Sequence, residues 1–270
     1  MKRMLATLCI VVPIALVGLT SFHATLAAAS VSSPLVEVFE LVPGQSAMGA
    51  IVATNGDSQP AEVRLYQTDY SFLADGRSSF GSPGVLPRSN ASWVNLPLNA
   101  VTIPPKSAVS IPYRVEAPQG SLKGTYWSLV MVEGVAPGQK SPNDQPSITS
   151  TIRYAIQVII EFKDRGIRLL KIINPNFSQD AKGGMTLQVD LQNEGDCSLR
   201  PKVSLELYDQ QGTGRPPVEG TKTRIYPGCS TRQTLALGEL PPGNYQAVLI
   251  ADNGDSYVVG ARYKLAVKAR

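Results

Sequence analysis

Apolar and polar side chains alternate with a period of two through most of this chain, the spacing that puts successive side chains on opposite faces of a β-strand. In residues 152–162, Ile152, Tyr154, Ile156, Val158, Ile160 and Phe162 share one face, and Arg153, Gln157 and Glu161 share the other. Residues 35–41, 61–72 and 108–115 read the same way. The run 124–133 (GTYWSLVMVE) is apolar enough for a sandwich interior. Pro43-Gly44, Asn55-Gly56-Asp57, Pro104-Pro105 and Pro118-Gln119-Gly120 are turn signals between these runs.

The second half repeats this style, with strands predicted at 167–173, 185–192, 202–208, 223–226, 232–237, 245–251 and 257–267. No segment has the 3.6-residue period of an amphipathic helix. Short strands at this spacing predict an all-β chain of two immunoglobulin-like β-sandwich domains in tandem, 30–164 and 165–270. The junction falls at Asp164-Arg165-Gly166, a link short enough to hold the domains close.

The N-terminus departs from this pattern. Lys2 and Arg3 precede an apolar stretch over 5–19, and Ala27-Ala28-Ala29 follows before Ser30. That layout predicts a cleaved secretory signal peptide over 1–29, the alternative being an uncleaved N-terminal anchor. No later apolar run reaches membrane-spanning length, because Glu133, Glu161 and Lys163 interrupt the best candidates. The expected location is the periplasm or the cell surface.

Removing the signal changes the chemistry available. Lys2 and Arg3 leave with it and no acidic residue does, so the net charge falls from +4 to +2. No basic cluster suggests nucleic acid as a partner. The single histidine, His23, also leaves, and with it any Ser-His-Asp or Cys-His nucleophile or His-ligated metal. A non-enzymatic protein without metal or cofactor is expected. Cys9 lies in the signal, and Cys197 and Cys229 remain. An even count in an exported chain predicts a Cys197–Cys229 disulfide, and alternating strand directions bring both to one end of the second domain. Closing that loop of about 30 residues would stabilise the fold by about 3–4 kcal/mol. Two separate buried thiols are the alternative.

Several pieces of the first domain carry a family resemblance: Pro43-Gly44-Gln45, Val52-Ala53-Thr54-Asn55, Trp93-Val94, VTIPPKS at 101–107, VEAP at 115–118, Gly124-Thr125-Tyr126-Trp127 and Ile152-Arg153-Tyr154-Ala155-Ile156. This domain resembles the immunoglobulin-like N-terminal domain of PapD-like periplasmic pilus chaperones. It also resembles the N-terminal domain of WxL-type cell-surface proteins, described as peptidoglycan-binding. The chaperone resemblance implies a protein partner, a secreted subunit or surface protein, engaged through a sheet edge or the interdomain cleft. In that family an arginine near the start of the first strand and a lysine in the last strand of the first domain anchor a carboxylate. Here residues 35–41 hold no basic residue, and Arg153 and Lys163 are displaced stand-ins. The strand of Ile152, Arg153, Tyr154, Ile156, Val158 and Ile160, following a Pro/Gly/Ser/Asn-rich loop over 135–150, is the candidate partner-binding element, or else the last core strand of the sandwich. The WxL-type resemblance implies a cell-wall glycan as a second ligand class.

Other constellations read as structural. Trp93, Tyr126 and Trp127 are candidates for stacking on a glycan, or for filling the core or its rim. Asp252-Asn253-Gly254-Asp255 lacks the spacing of a calcium loop and predicts a hairpin turn. Asp69 and Asp75 are expected at the surface, and the sequons at Asn90 and Asn176 matter only in a eukaryotic secretory pathway.

Overall fold

The computed structural model of the protein describes residues 29–135, 151–162 and 166–268. Among these residues the chain contains no α-helix. The first sandwich comprises β1 (Ala29–Val31), β2 (Val36–Glu40), β3 (Ser46–Asn55), β4 (Ala61–Phe72), β5 (Ser78–Gly81), β6 (Val94–Asn95), β7 (Ala100–Ile103), β8 (Ser107–Glu116), β9 (Gly124–Val135) and β10 (Arg153–Phe162). One sheet runs β1-β3-β8-β6; the other runs β2-β10-β9-β4-β5, with β7 also pairing β4. Between them Ile51, Ile111 and Val115 meet Val63, Leu65, Val130, Val132, Ile156, Val158 and Ile160 in one apolar core.

The second sandwich comprises β11 (Leu170–Gln179), β12 (Gly184–Asn193), β13 (Lys202–Tyr208), β14 (Val218–Glu219), β15 (Ser230–Glu239), β16 (Gly243–Asp252) and β17 (Val258–Val267). A sheet β11-β12-β15 packs on a sheet β14-β13-β16-β17. Leu187, Val189, Leu191 and Leu235 of one sheet face Leu205 and Leu249 of the other across its core. Every one of these residues sits at an alternating position, so period two placed it inside.

Some expectations change. Residues 223–226 form no strand: Ile225 makes one bridge to Leu199, and the Pro227-Gly228 turn follows at once, with Gly228 at φ 78°. The run expected at 167–173 starts at Leu170 and continues through Pro175 to Gln179. A bulge between Ile173 and Asn176, with Asn174 at φ 52°, accommodates the missing proline N–H. The hairpin expected at Asn253-Gly254 is present, joining β16 to β17 with Gly254 at φ 80°.

β3 (SAMGAIVATN) carries no clear alternation, and packing explains why. A Cβ on Gly49 would lie 2.3 Å from Tyr113 Cζ, so the tyrosine ring occupies the space of the absent side chain. Tyr113 is fully buried and its hydroxyl donates to Glu37 Oε2 at 2.5 Å, while Phe39 meets the ring edge-on at 6.3 Å. Burial and the Glu37 carboxylate push the phenol well above its ordinary pKa, so it stays a donor. One tyrosine thereby packs on β3 and holds β2 against the sandwich. Gly49→Ala should therefore destabilise the protein by about 1–3 kcal/mol through overpacking. Thermal unfolding of the variant should show a lowered Tm, and an unchanged Tm would mean that Tyr113 can move aside.

Candidate functional site

β10 reaches its place by the rule that makes it conspicuous in the sequence. Its even-numbered apolar face is interior: Ile156, Val158 and Ile160 are fully buried, and Tyr154 packs against the same core. Ile152 lies just before the strand and its carbonyl accepts from Gly134 N at 3.3 Å. Arg153 is exposed and pairs with Glu133 at 3.1 Å. The side-chain face singled out in the sequence is thus the core, and what β10 offers outward is backbone.

The reason lies in β2. It runs parallel to β10, from Gln157 opposite Val36 to Glu161 opposite Glu40. The chain reaches it after leaving the other sheet at β1, and Leu35 O takes Gln157 N at 2.9 Å as the first contact. N–H and C=O groups of alternate residues point to the same side of a strand, so those of Arg153 and Ala155 point to the side that β2 covers only from Gln157 onward. Among the described residues no strand pairs with β10 on that side between Arg153 and Ile156. β2 also ends its sheet and exposes apolar side chains, Val36 at 43% and Val38 at 42%, with Val42 at 59% just beyond. β2 is a short edge strand with two glutamates, Glu37 turned in against Tyr113, and it carries no lysine, proline or bulge.

The odd-numbered face of β10 meets the second sandwich. Gln157 Oε1 accepts a short hydrogen bond from the Tyr226 hydroxyl, and Glu161 accepts from Ser198 Oγ at 2.9 Å and Arg224 at 2.8 Å. Ile159 is buried in the core of the second sandwich beside Trp127 of β9. Trp127 stacks on Tyr226 with ring centroids 4.5 Å apart and planes 6° off parallel, and its indole N–H donates to Tyr70 O at 2.7 Å. Nearby, Thr125 N donates to Asp196 O at 2.8 Å and Ser198 N to Thr125 Oγ1 at 2.7 Å. Arg88 and Lys123 both pair with the Asp196 carboxylate. A cavity of about 400 Å³ remains at this junction, lined by Leu86, Pro87, Arg88, Trp127, Pro227 and Cys229.

The three aromatic candidates do not form one platform. Trp93 and Tyr126 meet at 4.7 Å, with Phe162 and the Arg88 guanidinium against Tyr126. Trp127 points to the opposite side of the sheet and is closed beneath Tyr226.

The expected disulfide is not formed: the two sulfurs are not bonded to one another. Both residues reach the same end, where Asn193 contacts the backbone of each. Cys197 sits against Gly166, while Cys229 is buried at the interdomain cavity. Burial pushes both thiols up, which makes them poor nucleophiles.

Asp69, expected at the surface, is buried. Its carboxylate accepts from the amides of Gly84, Val85 and Leu86 at 3.1, 2.8 and 2.7 Å and from the Ser89 hydroxyl, which replaces lost hydration and fixes the loop bordering the cavity. Asp75 lies at the surface, paired with Arg77. Lys163 and the loop over 136–150 lie outside the described residues. Among the described residues no cluster of His, Cys, Asp or Glu could hold a metal ion.

No protein-family model and no curated protein matches the chain. Solved structures do. A chaperone–tip adhesin complex of CFA/I fimbriae contains a chain 13% identical, with a TM-score of 0.48, covering 89% of this chain and 99% of that one. The class 5 fimbriae chaperone CfaA is 13% identical with a TM-score of 0.46, covering 90% and 99%. A Salmonella enterica complex of the SafA pilin with the SafB chaperone gives 10% identity and a TM-score of 0.43, covering 91% and 99%. Each likeness runs along most of both chains, at 13% identity or less and with a TM-score below 0.5.

Two outcomes test the junction. Trp127→Ala should cost about 3–5 kcal/mol, because it empties the contact shared by both sandwiches. Urea unfolding should show the loss as a lowered midpoint, whereas a near-native midpoint would mean that the stack is dispensable. The hydrogen bond from Lys123, aided by the charge of Arg88, holds the Asp196 carboxyl below its usual range although desolvation opposes this. A depressed folded-state pKa stabilises above the unfolded value of about 4 and loses that contribution as pH falls below it. Asp196→Asn should accordingly lower Tm at pH 7 and flatten its decline between pH 5 and pH 3.

Proposed function

We propose that this chain is an exported, non-catalytic protein that acts in the periplasm or at the cell surface by holding an extended segment of a partner protein against the free edge of β10. The carrying observation is the stretch Arg153–Ile156, whose outward N–H and C=O groups lie where β2 has not yet begun to pair. Backbone groups left on a strand edge are satisfied by a further strand, and alternate side chains of that strand supply specificity. Beside the opening, Leu35, Val36 and Val38 offer an apolar shoulder for such side chains.

Other features agree with this reading. The N-terminal sequence has the layout of a secretory signal. Once the signal is removed the chain has no histidine, and the two remaining thiols are pushed up by burial. The junction through Trp127, Tyr226, Gln157 and Glu161 stiffens β9 and β10, so the edge is presented on a rigid support.

Ala155→Pro tests the proposal. It removes an N–H directed at the free edge while leaving the internal ladder to β9 intact. A photo-crosslinking residue at position 153, introduced in the source cells, should capture one secreted protein, and Ala155→Pro should abolish that capture while Tm changes little. Equal capture with and without Ala155→Pro would sink strand addition at this edge. Ile156→Asp places a charge in the core and should unfold the first sandwich.

A further inference from the structure

The expected signal ends at Ala29, yet Ala29 is the first residue of β1. Its backbone pairs with Asn55, and its side chain, 8% exposed, packs in the core of the first sandwich. The residue it pairs with is itself an organising point. Asn55 is buried, and its side-chain amide donates to the carbonyls of Gln59, Ile103 and Pro104 at 2.7, 3.1 and 3.2 Å. From Ala29 the strand continues without interruption. The hydroxyls of Ser30 and Thr54 lie 2.7 Å apart, and Ser32 N donates to Val52 O at 2.9 Å. A cut after Ala29 would remove a core side chain and leave a charged ammonium at Ser30, inside the paired strand.

We infer that the processing site lies upstream of Ala29, at the bond between Ala27 and Ala28, so that the mature chain opens Ala28-Ala29-Ser30 and keeps Ala29, the first residue of β1. The local sequence supports this bond. Thr25-Leu26-Ala27 places small residues at the positions three and one before the cut, as the peptidase requires, whereas a cut after Ala28 would put Leu26 at the first of them. The consequence is structural. An N-terminal strand tied into a sheet is ordered, and this one closes the edge of β3 and leads directly into β2, the strand that partly covers β10.

This inference rests on the export reading, and the experiment separates the two. The full-length chain is expressed in its source, and the protein recovered outside the cytoplasm is read by intact mass and N-terminal sequencing. A first residue of Ala28 is expected. A first residue of Ser30 or Ala29 overturns the assigned bond while leaving export in place, and a chain that keeps Met1 and stays with the cells fails the export reading instead. Chains begun at Ala28 and at Ser30 are then compared directly. The shorter should melt about 2–4 °C lower for the loss of one buried side chain and one strand rung; equal Tm values would overturn the structural role given to Ala29.

Discussion

The face-to-face contact of Trp127 with Tyr226 organises this molecule. β9 supplies even-numbered residues to the first core, Val130 and Val132, and an odd-numbered indole to the second. Period-two alternation makes this double duty possible, because one strand has two faces and each can be buried in a different sandwich. A sheet with both faces covered is stiff. The hydrogen bonds of Gln157 and Glu161 to Tyr226, Ser198 and Arg224 extend the same constraint to β10. Ion pairs of Arg88 and Lys123 with Asp196 close the junction below it.

Against that stiff support the edge of β10 has a simple logic. Most of a sheet's backbone polar groups are paired within it, and those at its borders are satisfied by water or by another chain. β2 borders β10 for only part of its length because the chain enters from the opposite sheet, and Tyr113 through Glu37 keeps β2 where it is. Among the described residues the result is a strand paired on that side only from Gln157 onward, with apolar residues at the step. The charged side chains of Arg88, Lys123 and Asp196 at the junction are occupied with one another, and burial pushes both thiols up.

Much of the architecture was legible in the amino-acid order. β4, β10, β13 and β16 fall where alternation put them, β9 falls where a continuous apolar run put it, and the Asn253-Gly254 hairpin follows from turn chemistry alone. β3 was not legible, since Gly49 and its small neighbours mute the pattern and the ring that needs the glycine lies in a distant strand. Asp69 was misplaced because its partners are backbone amides of a loop, which leave no trace in residue type. A weak trace of the junction did exist: Ile159 is a large apolar residue on the otherwise polar face of β10, a sign that this face is covered as well.

Sequence by itself determined the β class, the position of most strands and the division of β10 into an apolar and a polar face. It also brought Cys197 and Cys229 to one end of the second sandwich. Tertiary structure decided what each face meets. It made the apolar face of β10 interior and its edge the exposed feature, and it ran β2 parallel rather than antiparallel. It set Trp127 under Tyr226 and away from Trp93 and Tyr126, and it left the sulfurs of Cys197 and Cys229 unbonded to one another. The physical reason is that periodicity is a local property of a strand, whereas the partner opposite each side chain is set by contacts between residues far apart in the chain.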